Sequence, residues 1–397
     1  MDAVSPWAAL AVLLAATLAA WVLLKCVGAP PAQGRHAAID GLRGYLALVV
    51  MTHHASIWYF YLRSGVWQLP PSRLYANFGG VGVALFFMIT SFLFCSKLLE
   101  ARGRGLDWGR LFVSRVLRLV PLYLLAMALL LAIVVQQSGA TLHEPWPQVL
   151  RQVLCWLGFT FWGNPDINGV AHTMVIVAGV IWSLPYEWFF YLMLPLLALP
   201  LGIKPARRYL VLSLLGLLLL RVWHPKLNQL LPFVSGYCAA RVVYRPGLRA
   251  WARSQPAAWL VLGCLAGALL GASSSYGALS LVLLTVVFVL VAAGCDLFGL
   301  LVHPVSRTLG ELAYGLYLLH GLLLFGLFKL LLGTDAAARL TPVEHWAWVA
   351  CATPVLVGLC WCAFRWVERP AMAQVDSVTA WLRRSGPSRP APAVLPG

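Results

Sequence analysis

Residues 112–135 read FVSRVLRLVPLYLLAMALLLAIVV, and from Leu119 to Val135 there is no charged side chain. About 20 apolar residues suffice to cross the hydrocarbon of a bilayer, so the stretch reads as a membrane span. Ten more segments of the same kind lie around it, giving eleven expected spans at 7–24, 40–62, 80–99, 112–135, 174–200, 208–223, 229–244, 257–272, 276–297, 309–332 and 346–367. Composition agrees: the 397 residues are 61% hydrophobic and 11% charged, with a mean hydropathy of +0.81, whereas soluble domains carry about 25% charged residues. The expected fold class is all-α, a polytopic transmembrane helix bundle of about eleven spans.

The 29 Lys and Arg outnumber the 13 Asp and Glu, a net charge of +16. In a soluble chain this would suggest nucleic acid. Alternating the loops instead sends Lys25, Arg35, Lys97, Arg102, Arg104, Arg110, Lys204, Arg207, Arg208, Arg241, Arg245, Arg249, Arg253, Arg307, Arg365, Arg369, Arg383 and Arg384 to one side, and mainly Arg63, Arg73, Arg221, Lys226 and Arg339 to the other. Basic residues stay in the cytoplasm, so the expectation is an inner-membrane protein with its N-terminus outside, its C-terminus in the cytoplasm, and no nucleic-acid partner. The nine cysteines fall mostly inside apolar runs without a C-x-x-C pair, which argues for neither a disulfide framework nor a metal site. Span 7–24 has its basic residue, Lys25, after it, the reverse of a signal peptide, and reads as a retained helix. Segment 136–173 is bracketed by prolines and glycines and is expected as an extracytoplasmic or re-entrant flap. The tail 371–397 is expected to be largely disordered. The chain then divides into 1–37, an N-terminal span with a cytoplasmic linker, a membrane domain at 38–370, and the tail.

An ionisable side chain inside a bilayer is expensive and marks a functional hypothesis. Arg43 and His54 are eleven residues apart, about three turns and roughly 16 Å along one helix face, which takes His54 from the cytoplasmic end to near the midplane. Glu187 lies at the centre of span 174–200, within WSLPYEW beside Trp182 and Pro185, where a carboxylate needs a partner. Tyr314, Tyr317 and His320 form a polar ribbon at a spacing of three. Arg115 and Arg118, neighbours at i and i+3, can turn both guanidiniums onto one anion, with Arg110 nearby. Each has a bland alternative: a snorkelling arginine, a packing histidine, a structural kink, or an ordinary positive-inside flank. Gly79, Gly80 and Gly82 permit close backbone approach, for packing or for a ligand.

Taken in order, DGLRG at 40–44 followed by His54, GGVGVALFFMITSF, Arg115-x-x-Arg118, WSLPYEWFFYLMLP, LGELAYGLYLLH and Glu368-Arg369-Pro370 resemble the acyltransferase-3 family of multi-pass membrane O-acyltransferases. The resemblance runs from about Ala38 to Pro370, with span 7–24 added to a ten-helix core. Thr90-Ser91 stands where the family usually has Ser-Gly. No SGNH-type hydrolase domain follows the last helix, so a second module, if needed, would be a separate SGNH-type or glycan-assembly protein.

The resemblance implies acetyl-CoA or another acyl-CoA as donor and co-substrate, and a cell-surface glycan or lipid-linked saccharide as acceptor. On this expectation Arg110, Arg115 and Arg118 hold the phosphates of the donor. His54, with Arg43 below it, acts as general base or as a transient acyl carrier. Glu187 orients an imidazole or binds the acceptor, and His320, Tyr314, Tyr317 and Trp182 line the acceptor side. Two other classes use the same residues differently: a proton-coupled transporter or flippase, and a haem protein with His54 and His320 as axial ligands.

Overall fold

The computed structural model describes residues 2–28 and 36–384. The expectations for the linker at 29–35 and for a disordered segment at 385–397 lie outside the described residues. Helix is the regular element throughout these residues, apart from one isolated bridge between Ile167 and Val170. In chain order the principal helices are α1 (Pro6–Val27), α2 (Ala37–Ser64), α3 (Arg73–Glu100), α4 (Trp108–Gln137), α5 (Trp146–Leu157), α6 (Leu184–Ala198), α7 (Arg207–Trp223), α8 (Leu231–Val242), α9 (Gln255–Ala266), α10 (Ala278–Ala293), α11 (Pro304–Glu311), α12 (Ala313–Phe325), α13 (Pro342–Ala363) and α14 (Val375–Arg384). The protein is an all-α, multi-pass membrane bundle.

Every expected span coincides with helix, but fewer than eleven are long and apolar enough to cross by themselves. Six qualify among the described residues: Pro6–Val27, Arg73–Glu100, Trp108–Gln137, Val180–Leu201, Ala313–Leu331 and Pro342–Arg384. Pro246–Ala252 with Gln255–Gly271, bent by 77°, makes a seventh if counted as one span. The shortfall has two physical causes. The 16 residues of α10 rise about 24 Å, short of a hydrocarbon core of about 30 Å. The 28 residues of α2 are long enough, but Asp40, Arg43, His53 and His54 dilute its apolarity.

Helix α2 is central, packed against α3, α11 and α12. Two glycines permit these contacts. A Cβ on Gly79 would stand 2.6 Å from the His53 ring, and one on Gly310 would run into the Asp40 carbonyl, so α3 and α11 can lie directly on α2. Helix α1 is peripheral. Ala8, Val12, Ala16 and Ala20, one per turn, are buried where α1 meets α13, while Leu14 and Leu18 point outward at 60% and 62% exposure.

Two local expectations change, in span 174–200 and in the tail, and the flap is seen to carry a helix. Span 174–200 is broken by Ala178 and Gly179, both in the left-handed region (φ 51° and 67°), and Pro185 opens α6, where its missing N–H costs nothing, rather than kinking a continuous helix. The flap contains α5, 12 residues long and too short to cross. Tyr123 donates to the Trp156 carbonyl and Trp156 Nε1 donates to Pro165 (2.8 Å), which ties the flap to α4. The tail is helical through α14, which docks on α4 through Asp376 and Arg110 (3.0 Å) and through Arg383 and Asp107.

Candidate active site

Two polar regions are stacked along α2. The first is a cavity of about 490 Å³ near the ends of α3 and α13 and the start of α4, lined by Arg43, Lys97, Arg115, Arg118 and Arg307 against Asp40, Glu187 and Glu311. Phe86, Phe87, Tyr191, Tyr314 and Tyr317 supply aromatic wall. Five cations against three acids make the cavity suited to an anion. Its volume is within the range typical of small-molecule sites.

Each cation is set by its helix. Arg115 and Arg118 are on one face of α4, as their spacing requires. Arg118 Nη1 lies 3.2 Å from Glu368 Oε2, and Glu368 is 1% exposed, so a buried carboxylate behind the wall holds the guanidinium in place. The Arg115 guanidinium stands 5.0 Å from the centroid of Phe94, and Lys97 approaches the same ring at 5.5 Å. Arg115 Nη2 donates to Ser114 (3.1 Å), while its Nε is buried without a partner. A buried cationic donor left unsatisfied beside a cavity is costly and is what an anionic ligand would relieve.

Glu187 accepts from Tyr191 and from Thr90 (3.5 Å). It sits in the first turn of α6, where the helix dipole favours a carboxylate, and it faces the cavity rather than a histidine. The role of orienting an imidazole therefore does not fit its position. Tyr314 donates to the Leu119 carbonyl (2.8 Å), and Tyr317 donates to the Val180 carbonyl (2.8 Å) and accepts from Ser183 (2.7 Å). The carbonyl freed by the break in span 174–200 is thus taken up by Tyr317. Both tyrosines line the same cavity as the arginines, rather than a separate region of their own.

The second region lies one turn beyond Tyr317. His54 and His320 are 8% and 0% exposed, and His54 Nδ1 is 3.0 Å from His320 Nε2. His53 is turned away, with Nδ1 donating to the Tyr75 carbonyl (2.6 Å). His345 Nε2 donates to the Ala55 carbonyl (2.9 Å), and its ring stacks on Phe328. Trp67, from the loop after α2, lies nearly parallel to His54 at 6.5 Å, and Trp58 meets Trp67 edge-on. The contact between His54 and His320 leaves no place for an iron between them, since two metal–nitrogen bonds need about 2 Å each. The haem reading fails on that distance. Among the described residues no group of three His, Cys, Asp or Glu side chains forms a metal site.

Of the residues singled out from sequence, Arg43, Arg115, Arg118, Glu187, Tyr314 and Tyr317 meet in the cavity, and His54 meets His320 above it. Two do not join them. Arg110 is on the surface, paired with Asp376, and Trp182 packs edge-on against Tyr186 and Phe87. Lys97 and Arg307 entered the sequence reading only as loop charges, yet both line the cavity. Glu368 had a signal, its place in Glu368-Arg369-Pro370, but nothing local says that it is buried against Arg118.

The family model described as an acyltransferase domain matches residues 36–365, nearly the whole membrane domain. No curated protein and no solved structure matches the chain.

Proposed function

This chain belongs to the acyltransferase-3 family, and from that premise we propose that it is an O-acyltransferase that moves an acetyl group from cytoplasmic acetyl-CoA to a hydroxyl of a cell-surface glycan or lipid-linked saccharide. The observation that carries the donor half is the cationic cavity with the unpartnered Nε of Arg115. Arg43, Lys97, Arg115 and Arg118 would hold the phosphates of the donor, a task for which planar guanidiniums are suited. The acyl thioester then extends along α2 and α12, past Phe86 and Tyr317, toward His54.

His54 is the general base on this reading. Its Nδ1 faces the Val50 carbonyl at 3.0 Å, and a carbonyl only accepts, so the ring proton is assigned to Nδ1 and the lone pair to Nε2. Nε2 takes the proton of the acceptor hydroxyl while the hydroxyl oxygen attacks the thioester carbon. Trp67 lies over the ring, with Trp58 packed behind it, on the side from which the acceptor would come.

The test is mass spectrometry of cell-surface glycans from cells with and without the protein, together with acetyl-CoA consumption by the purified protein in vesicles. A gain of one acetyl group on a glycan, lost on deletion, is expected. Unchanged glycans and no acetyl-CoA consumption would sink the proposal. Orientation in the inner membrane, N-terminus outside and C-terminus inside, is checked separately with single cysteines in a cysteine-free background. Exposed Leu142 and Asn164 in the flap, each changed to cysteine, should react with an impermeant thiol reagent in intact cells. Arg104→Cys, in the exposed loop after α3, should react only after lysis.

A further inference from the structure

The two interior histidines bear on where the proton goes once the base has taken it. His320 Nδ1 is 2.9 Å from the Leu316 carbonyl and must donate to it, which leaves the lone pair of His320 on Nε2. That lone pair is 3.0 Å from His54 Nδ1. The Nδ1 proton of His54 is therefore shared between the Val50 carbonyl and His320 Nε2, and the ring's other nitrogen is left free.

The hydrogen-bond contacts of His54 Nδ1 are with the Val50 carbonyl and His320 Nε2, and the neighbouring rings are placed otherwise. His53 meets the His54 ring edge-on, with centroids 4.8 Å apart, and its Nδ1–H is committed to Tyr75. His345 donates its Nε2–H to the Ala55 carbonyl and packs its ring on Phe328, and its unpartnered Nδ1 makes no hydrogen bond to His54. The Tyr317 ring is 6.2 Å from His320, and its hydroxyl proton goes to Val180.

We propose that His320 is a proton relay behind His54, a positioning residue that acts through it. This rests on the reading of His54 as base. As the acceptor hydroxyl loses its proton to His54 Nε2, the Nδ1 proton of His54 moves to His320 Nε2. The positive charge then rests on His320, whose two N–H groups donate to His54 Nδ1 and to the Leu316 carbonyl. The carbon–oxygen bond forms and the carbon–sulfur bond breaks. The departing thiolate takes the proton from His54 Nε2 while His320 returns the other to His54 Nδ1, so both rings end as they began. In a dry site a charge whose N–H groups are both paired is far less costly than one left with an open donor.

The experiment compares His320→Gln with His320→Leu in the full-length protein. A glutamine oxygen can accept from His54 Nδ1 but cannot take a proton, and leucine can do neither. Both variants are expected to lose about 100-fold in kcat, the scale of one acid–base contribution. KM for acetyl-CoA should stay within about twofold and the melting temperature of the Gln variant close to that of the native protein. In mixed H2O and D2O the native enzyme should show a curved proton inventory, with two protons in flight, and the Gln variant a straight one. Native kcat in His320→Gln, or a straight inventory in the native enzyme, overturns the relay and leaves His320 an orienting group at most. Should the Leu variant fail to fold, the Gln variant carries the test by itself. His54→Ala separates this from the parent reading: if it stays active the base assignment fails, whereas failure of the relay alone leaves it inactive.

Discussion

The two ends of α2 lie in opposite kinds of surroundings along one helix. At Arg43 the surroundings are a cavity crowded with ionisable side chains, room for a ligand, and an unsatisfied guanidinium nitrogen. Eleven residues later, His54 sits among packed rings with its Nδ1 hydrogen-bonded and little space around it. An anion site needs charge that is not already spent on partners, and a general base needs a neutral ring held in one tautomer. One helix offers surroundings suited to each because its N-terminal end borders the cavity and α11 while its interior faces α3 and α12.

The comparison breaks most sharply at His54. His54→Ala should lower kcat by roughly 10²–10⁴ with KM for acetyl-CoA unchanged, measured by acetyl transfer in vesicles. A large rise in KM would mean that the two ends are not separate. Arg118→Ala should do the reverse, raising KM for the donor with a smaller effect on kcat. Loss of one charged hydrogen bond, worth about 1.5–3 kcal/mol, corresponds to about 10- to 100-fold. Because it also strands Glu368, which is 1% exposed, the variant should melt early, and adding Glu368→Gln should restore the melting temperature without restoring KM. Equal KM in the single and native proteins would return Arg118 to a purely structural role.

Smaller effects sharpen the boundary between the two regions. Gly79→Ala places a methyl group 2.6 Å from the His53 ring, and overpacking of this kind costs about 1–3 kcal/mol. The loss should appear as a lower melting temperature and, if His53 pushes on His54, as a fall in kcat at constant KM. Arg110→Ala should change almost nothing. Its partner Asp376 is 78% exposed, and exposed pairs contribute about 0–1 kcal/mol, so a donor KM altered more than about twofold would bring Arg110 back into the phosphate site.

Much of the site was legible because membrane chemistry makes ionisable residues conspicuous. Arg43, His54, Glu187 and the Arg115–Arg118 pair stand out from apolar surroundings, and simple helical spacing placed Arg115 with Arg118 and His54 about three turns above Arg43. The same criterion failed where charge was common: Arg110, Lys97 and Arg307 all belong to basic flanks, and nothing in their neighbours tells a cavity wall from an exposed surface. Glu187 was paired in expectation with an imidazole because an acid at mid-span needs a partner. It finds one in Tyr191 instead, four residues along its own helix.

What the sequence alone determined is local and periodic: an all-α membrane bundle, the helical segments, and the motifs that place the chain in its family. Span length against bilayer thickness and residue spacing against 3.6 per turn are properties of one segment at a time, so they need no knowledge of neighbours. The tertiary structure decided which segments are long and apolar enough to cross by themselves. It also decided that the tail forms a docked helix and that Arg118 rests on Glu368, 250 positions away. Above all it brought His320 to His54 across 266 positions. Those pairings depend on how helices rotate and how closely they approach, which is set by packing contacts such as the one Gly79 allows between α2 and α3, and no one-dimensional pattern carries that angle.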